Sequence, residues 1–136
     1  MTIKHTWVSD ELLHTQYIGH VTGEDMLNAA HEVGADPRME HIRYVIGDWL
    51  QVGEAEITAD HVRELAAYIF ALSKSYPRVK NASLVANYES GVARATLYDV
   101  LSEDSPWEMA TFGKYEDAIA WFGLIDTKQP PADNTQ

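Results

Sequence analysis

Two hydrophobic periods alternate along this chain, and that alternation restricts its fold more than any other feature. Short strand-like runs are followed by longer runs whose apolar residues recur every three or four positions. The order reads β-β-α-β-α-β-α-β-α. Strands alternating with helices predict a largely parallel sheet with helices packed on it. The opening pair adds an antiparallel member. The predicted fold class is therefore α/β, a five-stranded mixed sheet with an N-terminal antiparallel hairpin and four helices.

The hairpin is expected over Ile3 to Val8 and Leu12 to His20, joined by the polar turn Ser9-Asp10-Glu11. In the second strand Leu13, Thr15 and Tyr17 face one way, and His14, Gln16 and Ile18 the other. A helix follows from Gly23 to Gly34, capped by Thr22, with Glu24 and Asp25 in its first turn. Ile42 to Asp48 is a strand whose consecutive apolar residues Tyr44, Val45 and Ile46 suit a position covered on both faces. Trp49 to Ile57 is expected to be a loop. Thr58 opens a second helix that runs to Tyr76, before Pro77. Ala82 to Tyr88 is a further buried strand, and Val92 to Leu101 a third helix. Trp107 to Phe112 is the last strand. Lys114 to Phe122 is the last helix, with Tyr115, Ala118, Ile119 and Phe122 on one side. Residues 1–125 thus form one α/β domain, and the polar, proline-bearing segment 126–136 is expected to be a disordered tail.

Composition narrows the function classes. With 136 residues the chain suits one domain that needs no metal or disulfide to fold. It has no cysteine, which excludes disulfides, thiolate metal sites and cysteine nucleophiles and suits a reducing cytoplasm. The formal net charge is -11, and such a surface repels nucleic-acid backbones and anionic lipid. Met1 to Val8 carries Lys4 and His5 without an apolar core, so no secretory signal is expected, and no apolar run is long enough for a transmembrane segment.

Strong catalytic signatures are missing. The sequence has no G-x-G-x-x-G, no phosphate-cradling G-x-x-x-x-G-K-[ST], no H-E-x-x-H and no G-x-S-x-G. Of its six histidines, His5 and His14 could meet across the hairpin only if the turn had two residues. Ser-Asp is a poor two-residue turn, so no metal site is expected there. Asp60, like His61, lies at a helix N-terminus, where a carboxylate complements the dipole. Trp107 and Trp121 read as packing residues.

Ligands of open α/β sheets bind outside the carboxyl ends of the strands. Asp48 ends one predicted strand and Tyr88 the next, Trp49 adds an aromatic wall, and Thr58 opens the following helix. Arg94 lies on a helix that is otherwise apolar, small or aromatic. These five residues, Asp48, Trp49, Thr58, Tyr88 and Arg94, are the candidate ligand- or partner-binding site. Arg94 is expected to face a negative group and Thr58 to cap its helix. No catalytic residue, metal or cofactor is predicted.

Three segments resemble one family. They are His20-Val21-Thr22-Gly23-Glu24-Asp25-Met26, the strand ending in Asp48 with its following long helix, and the closing run from Phe112 through Ala118 to Trp121 and Phe122. The step Gly91-Val92-Ala93-Arg94 adds to them. Over about residues 3–124 the chain resembles the STAS-like, or SpoIIAA-like, small bacterial domains, related in fold to anti-anti-sigma factors and Sec14-type lipid-binding domains. The resemblance implies a non-enzymatic regulatory or protein-interaction module. It departs from anti-anti-sigma factors at one point, since those carry a phosphorylatable Ser or Thr directly after the strand-ending Asp. Here Trp49, Leu50 and Gln51 follow Asp48, and the nearest candidate is Thr58. The alternative functions are a carrier or sensor of a small apolar or anionic-headed ligand such as a lipid, and an uncharacterised enzyme. The partner is expected to be a protein or a small apolar ligand, with a homodimer also open to the chain, and not nucleic acid.

Overall fold

The computed structural model describes residues 2–86 and 89–124. β1 (Thr2–Trp7) and β2 (Leu12–Thr22) form the expected antiparallel hairpin. The Ser9 hydroxyl closes its turn by accepting from the N–H groups of Glu11 and Leu12. α1 (Gly23–Ala35) starts on a capping box: the Thr22 hydroxyl accepts from the Asp25 N–H, and the Asp25 carboxylate accepts from the Thr22 N–H. That donor holds the Asp25 carboxyl below the usual carboxylate range. A 3-10 turn over Pro37–His41 leads into β3 (Tyr44–Glu56). α2 (Ala59–Ser75), β4 (Lys80–Leu84), α3 (Glu89–Leu101), β5 (Glu108–Phe112) and α4 (Tyr115–Phe122) complete the described chain.

Among the described residues the strands form one sheet in the order β1-β2-β3-β4-β5, antiparallel at the first pair and parallel thereafter. The mixed five-stranded sheet and four α-helices are those expected. Two boundaries are not. The segment Trp49 to Ile57 is not a loop: β3 continues through it to Glu56, paired with the far half of β2. β4 ends at Leu84, so this part of β3 leaves the sheet as a two-stranded ribbon. β3 carries an extra residue at each of two register shifts, and such bulges coil a ribbon. Asp48 therefore lies inside β3 rather than at its end. β4 also stops short of Tyr88, which lies outside the described residues, as does the predicted tail.

The two faces of the sheet are covered differently. α1, α2 and α3 lie on one face, where Leu13, Val62, Ile69, Tyr98 and Trp107 belong to one apolar cluster and Tyr17, Val21, Met26 and Ala29 to a second. Among the described residues α4 alone covers the other, packing Tyr115, Ala118, Ile119 and Phe122 on Leu12, Ile46, Ala82 and Leu84. Trp107 is buried and its indole N–H donates to the Tyr76 carbonyl at 2.6 Å. Trp121 is half-buried beside Phe112, with the Lys80 ammonium over its ring. No helix among the described residues is long and apolar enough to cross a membrane.

Candidate functional site

Register decides what the three-helix face presents. One row of paired residues crosses all five strands: His5, Thr15, Gly47, Ser83 and Thr111. These positions alternate with the apolar residues under α4, so the whole row faces α1, α2 and α3. The neighbouring row, Trp7, Leu13, Val45, Asn81 and Met109, is apolar except at Asn81. On the other side of the polar row Tyr17 and Trp49 stack with ring centroids 4.0 Å apart.

The outer members of the polar row are already engaged. His5 Nδ1 and the Thr15 hydroxyl are hydrogen-bonded at 2.8 Å, and His5 Nε2 meets Glu32 at 3.3 Å. The Thr111 hydroxyl donates to Asp99 at 2.8 Å. The centre is different. Gly47 offers no side chain, and Ser83 is only 9% exposed with no side-chain hydrogen-bond partner among the described residues.

Above this centre lies a cavity of about 130 Å³ between the sheet and the three helices. Met26, Val45, Leu65, Ile69 and Ala95 give it apolar walls, and Trp49, Ser83 and Arg94 reach its lining. Among the described residues that line it there is no Asp, Glu or Lys. Tyr98 closes part of the wall. Its hydroxyl donates to Asn81 Oδ1 at 2.6 Å, and Asn81 Nδ2 donates to the Val45 carbonyl at 3.3 Å. Burial pushes the Tyr17 and Tyr98 hydroxyls well above their ordinary range, so both stay protonated.

Arg94 can be placed along β4 from this bond. α3 returns antiparallel to β4, as a crossover between parallel strands requires. One turn back from Tyr98 is about 6 Å, and two residues on from Asn81 is about 6.6 Å. Arg94 is therefore level with Ser83. The Trp49 indole Nε1 lies over the same place, 3.7 Å from where a Cβ on Gly47 would stand.

The candidate residues thus separate. Trp49 and Arg94 both line the cavity. Asp48 points to the opposite face, buried, where its Oδ2 accepts from His14 Nε2 at 2.8 Å and its Oδ1 from the Leu50 N–H at 3.0 Å. Thr58 caps α2 through the His61 N–H at 3.2 Å and does not line the cavity. His5 pairs with Thr15 across the hairpin while His14 pairs with Thr6, so the two imidazoles face opposite sides of the sheet. Gly47 and Ser83 were not singled out from the sequence. Aligning the predicted strands by their buried faces would have raised them as the small residues of one row.

No known protein-family profile matches the chain, and no curated protein matches it. Solved structures do. The anti-sigma factor antagonist SpoIIAA in its unphosphorylated form aligns with a TM-score of 0.59 at 9% identity, over 92% of this chain and 100% of that one. The Bacillus cell fate determinant SpoIIAA in its phosphorylated form aligns at 0.55 and 9% identity, over 89% and 99%. This chain has the SpoIIAA-like fold. An uncharacterised DUF3478-family protein with a SpoIIAA-like fold, from Shewanella loihica PV-4, aligns at 0.48 and 17% identity over 88% and 91%. At 9% identity the likeness to SpoIIAA is one of fold, and the cavity must be read from this chain's own residues.

Proposed function

We propose that this chain is a non-catalytic regulatory module whose signal is a small, mainly apolar molecule held between the sheet and α1, α2 and α3. The observation that carries this reading is the cavity itself. An apolar cavity of about 150 Å³ is enough to hold a benzene molecule, and the one here is of similar size, about 130 Å³. Its walls are apolar side chains with a few polar groups, the composition of ligand sites generally. The regulatory part draws on fold analogy to a protein described as an anti-sigma factor antagonist.

α3 offers a way for occupancy to be read by a protein partner. Gly91, Arg94, Ala95 and Tyr98 face the cavity. Val92, Thr96 and Val100 form an exposed stripe on the opposite side, and Val100 is 53% exposed. A surface helix is normally apolar on one side only. Here one helix carries both the ligand wall and an apolar outer stripe.

Titration with toluene, followed by amide chemical shifts, tests the reading. Shifts are expected at Val45, Leu65, Ile69 and Ala95. Shifts confined to the α4 face, or none up to the solubility of toluene, would remove its basis.

A further inference from the structure

We infer that the cavity recognises a compact anionic head, a carboxylate, joined to a small apolar or aromatic body. This inference rests on the cavity being a ligand site and concerns what its polar end selects. Three donors are placed around Gly47: Ser83 is its strand partner, the Trp49 indole N–H lies 3.7 Å from where its Cβ would stand, and Arg94 lines the same cavity at the level of Ser83. None of them has a hydrogen-bond or ion-pair partner among the described residues. Indole and guanidinium are donors only, and a hydroxyl can donate as well as accept. A built site with three available donors and no acceptor-only group suits an acceptor-only ligand, and a carboxylate is that.

The rest of the molecule makes this local arrangement stand out. The chain has 21 acidic residues against 10 Lys and Arg, yet no described lining residue is acidic. The two carboxylates in the row's network do not line the cavity: Glu32 is held beyond His5 and is 71% exposed, and Asp99 is bonded to the Thr111 hydroxyl. The net charge of -11 opposes the approach of any anion. That opposition is screened over about 8 Å at physiological salt, whereas direct donors act at contact inside a partly desolvated site. Binding geometry therefore outweighs net charge once the head reaches the donors.

Gly47 has a defined part in this arrangement. A Cβ there would meet nothing closer than the Trp49 indole nitrogen at 3.7 Å, so the fold does not require glycine for packing. Its φ is not in the left-handed region either. What the missing side chain leaves is room between Ser83 and Trp49, at the place the head would occupy.

Benzoate, benzamide and toluene, titrated separately at neutral pH and read by calorimetry and amide shifts, test the inference. Benzoate is expected to bind about tenfold or more tightly than neutral benzamide, the advantage of a charge-assisted contact. Arg94→Gln should bring that ratio close to one while leaving the toluene shifts in place. Gly47→Ala, which keeps the fold, should weaken benzoate more than toluene. If benzamide binds as well as benzoate, the anionic head is wrong but the cavity reading stands. If none of the three shifts the lining amides, both are wrong.

Discussion

His14 of β2 and Asp48 of β3 join two neighbouring parallel strands through a 2.8 Å hydrogen bond in the layer beneath α4. Both side chains are almost wholly buried, at 3% and 9% exposure. The Tyr115 ring lies 5.2 Å from the imidazole. This pair explains why a carboxylate sits in the interior of a sheet without belonging to the cavity on the other side. Removing one member leaves the other buried without its hydrogen-bond partner, which costs about 1–3 kcal/mol and more where the remaining group is charged. Asp48→Ala is therefore expected to lower the denaturant midpoint strongly while toluene still shifts the cavity amides. The double variant with His14→Ala should lose less than the two single losses added together. Additive losses would show that the two side chains act separately.

Neighbouring residues in a strand point to opposite faces, and that rule bears on how much of the site was legible. Asp48 and Trp49 cannot both face one cavity if both lie within a strand. They can be grouped only if Trp49 begins a loop. The segment looked like a loop because Gly53, Glu54 and Glu56 interrupt any apolar alternation. It is a strand because the far half of β2 supplies its backbone partners, and its own side chains do not show that. The helices were easier to read, since capping residues such as Thr22 and Thr58 act within a few residues of themselves. Trp49 and Arg94 could be picked out singly. Ser83 and Gly47 could not, because a register row is a property of five paired strands and not of one.

The start of α1 and the start of α2 are fitted to each other through Gly23 and His61. A Cβ on Gly23 would overlap the His61 ring. That ring also closes the α2 cap, since His61 Nδ1 accepts from the Thr58 N–H at 3.0 Å. Gly23→Ala is expected to displace the ring and cost about 1–3 kcal/mol, the range for overpacking. The same substitution in a His61→Ala background should cost clearly less. An equal cost in both backgrounds would place the strain elsewhere.

Tyr98 and Asn81 hold α3 to the sheet at the apolar end of the cavity. Tyr98→Phe removes the donor to Asn81 Oδ1 and leaves that oxygen buried. A buried polar atom without its partner costs about 1–3 kcal/mol. The variant should lose stability in that range by urea unfolding. A neutral result would mean that Asn81 turns to another donor, which new shifts at the Val45 amide would reveal.

Asp99 gives the fold a pH dependence of unusual sign for a carboxylate. Its Oδ2 accepts from Thr111, but its Oδ1 is buried without a hydrogen-bond partner among the described residues. Desolvation pushes its carboxyl above the ordinary value, and the Thr111 bond only partly opposes this. A folded value above the unfolded one means that the unfolded chain releases the proton first. The associated stability is complete below about pH 4, the unfolded value, and is lost as pH rises through the folded value. Carboxylates such as Asp25, whose pKa is lowered by the Thr22 N–H, act in the opposite direction and mask this effect in the wild type alone. A comparison with Asp99→Asn isolates it, because those other groups are common to both proteins. The stability of the wild type relative to Asp99→Asn is expected to rise as the pH is lowered from 7 towards 4. Paired urea titrations across that range check it. A difference that is flat, or that falls towards acid, would show that Asp99 is solvated in the folded protein.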